Sequence, residues 1–278
     1  MILEVSSPWR GVASVGGVVV GVWDGLRRGV AAAAELVLPA RCASCHGPGA
    51  PLCRGCSAGV RTASGDGGGP HLVPLEPLSS GMPSCWAGAR FEGPLQQAVT
   101  AYKDEDRRDL RGPLGELLAS ALVAAVSADE VLRRRRVLGD AVLVVPMPTV
   151  RASRRRRGDD PVRDLVAAGV GAVGGGLVVV EGLAHTRAVA DQAHLDRGAR
   201  AANLAGAMVV RAAARAVVHG AVCVLADDVV TTGTTLAEGA RALRKAGAGH
   251  VVAVTVAATP RRRPAPLWPT GPPTSVRS

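Results

Sequence analysis

The stretch Val222-Cys-Val-Leu-Ala-Asp-Asp-Val-Val-Thr-Thr-Gly-Thr-Thr-Leu236 sets an apolar run, two acids, a Thr/Gly turn and a helix start in that order. Val222 to Ala226 is apolar at every position, which predicts a strand covered on both faces. Thr235 to Ala246 predicts a helix with Leu236, Ala240 and Leu243 on one face, ended by Gly247. The turn between them falls at the carboxyl end of a buried strand, where open α/β sheets bind their ligands. Successive backbone N–H groups from Thr231 to Thr235 can there point at one phosphate, with the dipole of the helix N-terminus adding to the attraction. Gly233 allows close backbone approach, and Thr231, Thr232, Thr234 and Thr235 add hydroxyl donors. Asp227 and Asp228 are acceptors. They suit a ribose diol and, directly or through water, Mg²⁺. An ordinary strand-to-helix turn with Asp and Thr as caps would account for one or two of these residues. It does not account for two acids, four Thr and a Gly together.

Elements of the same kind extend outward. Val251 to Ala257 reads as the next strand, and Leu177 to Val180 and Ala141 to Val145 as earlier ones. Leu95 to Lys103, Pro113 to Val126 and Val162 to Val173 read as helices, and Pro113 suits a first helical turn. Strands alternating with helices from residue 86 to 258 predict an α/β fold, a mostly parallel twisted sheet flanked by helices. Aromatics are only 2% of the 278 residues and 47% are hydrophobic, so small aliphatics must build the core.

The expected organisation has five parts: a leader and helix over 1–38, a cysteine-rich segment over 39–60, a Gly/Pro/Ser linker over 61–84, the main domain over 85–259, and a disordered Pro/Arg-rich tail over 260–278. Within the cysteine segment, Cys42-x-x-Cys45 and Cys53-x-x-Cys56 form two knuckles. Each can present two thiolates, and four thiolates close a tetrahedral structural Zn²⁺ site. Gly47, Pro48, Gly49 and Pro51 make the tight reversal between them feasible. Cys42-Ala-Ser-Cys45-His46 also fits a c-type haem attachment pattern or a redox dithiol, but either would leave the second pair without a purpose. Cys223 reads as a small buried hydrophobe.

A second basic feature precedes the phosphate turn. Val144-Val-Pro-Met-Pro-Thr-Val-Arg151 ends a strand and leads into Arg154 to Arg157, Gly158, Asp159 and Asp160. Guanidinium forks on such a loop match diphosphate oxygens, and a solvated basic loop is the competing reading. A third stretch, 181–204, is polar and mixed and reads as a mobile loop entering a helix, of the kind that closes over a substrate.

The Asp227–Thr235 segment resembles the phosphoribosyl pyrophosphate (PRPP) signature of type I phosphoribosyltransferases. That resemblance assigns the acids to the ribose hydroxyls and the loop to the 5-phosphate, so that Asp227, Asp228, Val229, Val230, Thr231, Thr232, Gly233, Thr234 and Thr235 form the PRPP site. In that family the loop at the place of Arg151, Arg155 and Arg157 receives pyrophosphate. Over about residues 36 to 259 the chain is similar to the ComF family, phosphoribosyltransferase-like proteins linked to late competence and DNA uptake. The order of pieces carries this likeness: zinc-type cysteines, Phe91-Glu-Gly-Pro-Leu95, Ala101-Tyr-Lys103, the Pro-Met-Pro loop, the Gln192 to Asn203 stretch and the PRPP signature. Asp159 and Asp160 depart from the family's aromatic-Asn pair after Arg-Gly. The resemblance implies PRPP with Mg²⁺ as ligand and phosphoribosyl transfer with pyrophosphate release, or else an accessory protein that binds a phosphorylated ligand or single-stranded DNA. Gln192, Arg200 and Asn203 are candidate contacts from the mobile loop.

Net charge is +10, and lysine occurs only at Lys103 and Lys245, so arginine supplies nearly all of the positive charge. Such a surplus favours anionic partners. Phe91 and Tyr102 are the sole Phe and Tyr, and without interleaved aromatics base stacking on single-stranded DNA is disfavoured. Lys103, Arg107 and Arg108 read as a solvated helix end or as ligands for an anion, and Arg133 to Arg136 as an exposed charge run. Val12 to Val22 is apolar but short and Gly-rich. It lacks a clean cleavage site and falls below the ~20 residues that span a bilayer. The expected setting is cytoplasmic, with reduced thiols. No arrangement of Ser, His and Asp makes a plausible triad.

Overall fold

A computed structural model describes residues 41–62, 69–75, 81–149, 160–186 and 206–260. The strands are β1 (His71–Leu72), β2 (Cys85–Arg90), β3 (Val142–Pro146), β4 (Leu177–Val179), β5 (Leu183–His185), β6 (Met208–Val210), β7 (Val222–Val230) and β8 (His250–Ala258). The helices are α1 (Arg54–Thr62), α2 (Gly93–Asp104), α3 (Arg111–Ala128), α4 (Glu130–Val137), α5 (Pro161–Val173), α6 (Arg215–Val218) and α7 (Thr234–Lys245). One six-stranded sheet runs in the order β1-β2-β8-β7-β3-β4. All its neighbours are parallel except the β1–β2 edge pair. The expected α/β architecture is therefore present. His71–Leu72, inside the stretch expected to be a linker, is its antiparallel edge strand. Leu183–His185, at the start of the stretch expected to be a mobile loop, is instead strand β5.

The continuous apolar strands follow from cover on both faces. In β7, Val222, Val224 and Ala226 face one cluster, with Leu114, Leu118 and Leu122 of α3 and Leu165 and Val166 of α5. Cys223 and Leu225 face the other, with Leu236, Ala240 and Leu243 of α7 and with Leu183, Met208 and Val210 of the β5–β6 hairpin. The period-2 alternation of the strand produces this split. Gly88 in β2 permits the closest approach of the α3 layer, since a Cβ there would lie 2.2 Å from the Leu117 carbonyl oxygen.

The helical segment Arg108–Ala128 is long and apolar enough to cross a membrane by length and composition, with mean hydropathy 1.3. It packs instead as the central helix on the sheet, where Leu114, Leu118, Ala121, Leu122 and Ala125 are fully buried. The Arg133–Arg136 run lies in α4, which Asp129 caps by accepting from the Leu132 N–H at 3.0 Å. Residues 1–40 and 261–278, expected to hold a leader, a helix and a tail, lie outside the described residues.

Candidate functional site

The parallel strands place their carboxyl ends on one edge of the sheet. In chain order β3 is followed outward by β4, while β7 is followed in the other direction by β8. The β3–β7 boundary is therefore the point where the strand order reverses, and crevices at such points receive ligands. β3 pairs with β7 only as far as Ala226. On the other side β8 pairs with β7 through Val230. Asp227, Asp228, Val229 and Val230 thus remain in the strand but project beyond their β3 neighbour. The sequence places this strand's end at Ala226. The added β8 pairing carries it four residues further.

Because the strand alternates, the two acids leave the edge on opposite faces. Asp227 continues the row of Cys223 and Leu225, and its charge reaches Cys85, on the α7 side of the sheet. Asp228 continues the row of Val224 and Ala226, on the α2–α3 side. There the Lys103 ammonium, from the last turn of α2, meets its Oδ2 at 2.7 Å. Asp228 is 9% exposed. Each carboxylate also accepts from the next backbone N–H, Asp228 N to Asp227 Oδ1 at 2.9 Å and Val229 N to Asp228 Oδ1 at 2.6 Å. Burial, followed by the negative charge of Asp228, pushes the Asp227 carboxyl up to about 7 against the opposing pull of Lys103. Burial lowers the Lys103 ammonium, but the paired Asp228 outweighs it and the net shift is upward.

The turn that follows has the expected form. Gly233 has φ 81°, a left-handed conformation that residues with a Cβ rarely adopt, and its carbonyl accepts from Ala237 N at 2.9 Å to start α7. Thr232 and Thr234 share a hydroxyl–hydroxyl hydrogen bond at 2.9 Å. Thr231 and Thr235 are exposed. Among the described residues, the only protein acceptor for an N–H from Thr231 to Thr235 is the Thr232 hydroxyl, 3.4 Å from Thr234 N. The donors at this helix start are thus free for an anion.

Two neighbouring segments begin and end at this edge. Arg151, Arg155 and Arg157 lie outside the described residues, but the ends of their loop are tied together. Thr149 Oγ1 donates to Asp160 Oδ1 at 2.7 Å, and Asp160 caps α5 by accepting from Arg163 N. Gln192, Arg200 and Asn203 also lie outside the described residues. Their loop springs from the β5–β6 hairpin, closed by Thr186 N donating to Ala207 O at 2.8 Å. The hairpin is clamped to α7. Buried Glu238 accepts from Met208 N at 2.9 Å, and Arg241 grips both Glu238 oxygens at 2.6 and 2.8 Å. His185, for which the sequence suggests no partner, meets Pro148 O through Nε2 at 3.0 Å.

Lys103 is the residue whose place the sequence reading underweights. The sequence favours a solvated helix end there, whereas the ammonium is seated on Asp228 at 2.7 Å. Its signal was indirect, one of two lysines in an arginine-rich chain. Arg107 turns elsewhere, donating to Asp109 and, at 2.7 Å, to Arg41 O. Arg108 stacks 5.3 Å from the centre of the Tyr102 ring and pairs with Asp106 at 2.6 Å.

The four knuckle cysteines converge. The Sγ atoms of Cys42, Cys45, Cys53 and Cys56 all lie within 4.8 Å of one another, and Cys45 and Cys53 are 3.7 Å apart. Tetrahedral thiolates at ~2.3 Å from Zn²⁺ stand about 3.8 Å apart, so the cluster fits that ion. His46 with φ 59° and Gly49 with φ 110° make the reversal between the knuckles. Burial raises the Cys42 thiol, but N–H groups of Cys53, Cys45 and Ser44 outweigh it and bring it to about 6. Cys56 is the opposite case. Ser44 lowers it, but burial and the three neighbouring sulfurs push it to about 12. Four adjacent thiolates need a cation, and the cluster could hold a structural zinc.

Residues 176–268, from β4 through β8 and including Asp227–Thr235, match the phosphoribosyl transferase domain. No curated protein matches the chain. Among solved structures, the allosteric regulatory enzyme of purine biosynthesis is similar over 52% of this chain, with 24% identity and a TM-score of 0.31. This chain spans 25% of the length of that one.

Proposed function

We propose that the edge formed by Asp227, Asp228 and the Thr231–Thr235 turn binds the ribose 5-phosphate of PRPP, with Mg²⁺, and that the chain transfers the phosphoribosyl group with release of pyrophosphate. One observation carries the reading: two carboxylates at the strand-order reversal run directly into a left-handed glycine and a helix start whose amides are free. The turn amides and Thr hydroxyls grip the phosphate, while Asp227 and Asp228 accept from the ribose hydroxyls. Mg²⁺ held with the diphosphate would neutralise charge on the leaving pyrophosphate. Arg151, Arg155 and Arg157 supply further fixed positive charge to that group, stabilising the transition state more than the ground state. Gln192, Arg200 and Asn203, in the chain between β5 and β6, would contribute contacts to the ligand. The resemblance to the ComF family and the domain match over β4–β8 support this reading. It carries with it a reducing, cytoplasmic setting, with 39–60 as the zinc-knuckle segment and 85–259 as the phosphoribosyltransferase unit.

A second reading is a ComF-type accessory protein for DNA uptake that binds a phosphorylated ligand or single-stranded DNA without turnover. Lys103 favours it, because the acid pair already has an internal cation at 2.7 Å and can hold a sugar phosphate with no metal. Calorimetric titration with PRPP and Mg²⁺ tests the shared site. The native chain should give saturable heat, and the Asp227→Ala/Asp228→Ala variant should give none. Equal heats from both would remove the ribose-phosphate reading. Pyrophosphate release across a panel of amines and nitrogenous bases then separates transfer from binding. DNA binding that survives the double variant would favour the accessory role.

A further inference from the structure

The four-cysteine segment and the acid pair are joined by a single helix. The knuckles dock on α2. Ser44 Oγ donates to Gln97 Oε1 at 2.6 Å, and Arg107, just past the end of α2, holds Arg41 O at 2.7 Å. Ala43 and Val60 are buried in the same cluster as Leu95, Ala98, Val99 and Tyr102 of α2, with Leu52 packed against it. In the last turn of the same helix, Tyr102 donates to Pro161 O at 2.9 Å, and Lys103 meets Asp228 at 2.7 Å. We propose that a metal ion held by Cys42, Cys45, Cys53 and Cys56 governs the ligand edge through α2, fixing the helix whose last turn seats Lys103 on Asp228.

The physical reason lies in size and connectivity. A segment as short as 41–62 cannot form a core of its own and needs a staple to keep its shape. With the ion bound, the knuckles are a rigid wedge against α2. Without it, Ser44 and Arg41 lose their fixed positions, and the first turns of α2 lose one packed side. Lys103 is a long side chain, 38% exposed, and its contact with Asp228 requires that its helix end be held still. The metal module is thus a positioning device for Lys103. Loss of the ion by chelation loosens the counter-charge on the acid pair. The functional meaning of this rests on that pair being the ligand edge, but its test uses no ligand.

Lysine occurs only at Lys103 and at Lys245, which is exposed in the last turn of α7. Trace acylation of the full chain, read by peptide mass spectrometry, therefore gives the Lys103 rate with Lys245 as internal reference. In the zinc-loaded protein the Lys103/Lys245 ratio should be low. It should rise about threefold or more when Asp228→Ala removes the partner, and to a similar extent when the reduced chain is stripped of zinc. A stripped chain that keeps the zinc-loaded ratio, while its four thiols are free, overturns the proposal. So does an Asp228→Ala chain with an unchanged ratio. Should stripping unfold the whole chain by circular dichroism, the zinc-loaded Ser44→Ala/Arg107→Ala variant decides. A raised ratio supports the coupling, and the native ratio refutes it. PRPP titration that fails beside a raised ratio would count against the ribose reading alone.

Discussion

Asp227 and Asp228 are adjacent in sequence yet sit in different electrostatic surroundings, because a strand turns successive side chains to opposite faces. Asp228 has Lys103 at 2.7 Å, whereas Asp227 has burial and a neighbouring negative charge, and is pushed from 3.8 to about 7. A carboxyl whose folded value lies above its unfolded value stabilises the protein fully below about pH 4, and that stability is lost as pH rises through about 7. The ligand-free protein should therefore lose stability between those limits, on the order of 3 kcal/mol from this group. Asp227→Asn should flatten the loss. Urea unfolding of both chains at several pH values measures the difference, and parallel pH profiles would show that Asp227 is ionised throughout. A ribose diol donates to the ionised form, so PRPP affinity should increase from pH 6 to 8 in the native chain. The same residue scale separates Gly233 from its neighbours. With φ 81° and the side chains of Leu75 and Met82 within 3.2 Å of any added Cβ, Gly233→Ala should cost about 1–2 kcal/mol of stability and weaken PRPP binding. Calorimetry beside a thermal melt distinguishes the two effects.

Elements carry these residues to one edge, and each has its own vulnerable point. The contact between α3 and the sheet depends on Gly88. A methyl there would lie 2.2 Å from the Leu117 carbonyl, which is backbone and cannot rotate away. Gly88→Ala should lower stability by about 2–4 kcal/mol, read as a fall in Tm, although the residue touches no candidate ligand. Glu238→Ala should act differently. It removes the acceptor of Met208 N and the partner of Arg241, so exchange protection should fall in β5 and β6 while the β7–β8 ladder is unchanged. Much of this level was legible in the sequence: β3, β4, β7, β8, α2, α3, α5 and α7 follow from apolar runs, periodicity and helix-start prolines, whereas the parallel strand β2 has no such run and is held by its pairing with β8. The end of β7 was not legible either, because aspartates are disfavoured in strands and the pairing with β8 that retains them comes from a distant segment. α4 was hidden as well. Four arginines mask its one buried side chain, Leu132, and its cap. Lys103 is the same kind of case, since its partner is set by tertiary packing and by no local pattern.

At the scale of the whole molecule the six cysteines divide into two populations that report on two different structures. Cys85 and Cys223 are fully enclosed by the sheet, and burial raises them to about 12 and about 11. They belong to the aliphatic core and need no metal. Cys42, Cys45, Cys53 and Cys56 are gathered on a short segment that borrows part of α2 as its core. The thiolate is the reactive form, so accessibility and thiolate fraction together set the rate at which each reacts. A disulfide reagent such as dithionitrobenzoate should therefore meet three distinct states. The zinc-loaded chain should show almost no fast thiols, because all four module sulfurs are bound. The chelator-treated, reduced chain should show four accessible thiols while its sheet remains folded, with Cys56 the slowest of them until its neighbours are modified. Denaturant should release the last two. Metal analysis alongside should find one zinc per chain in the first state and none in the second. Four fast thiols in untreated protein that elutes with one equivalent of zinc would mean that the ion sits elsewhere. A stripped chain showing all six at once would mean that the sheet does not stand without the module.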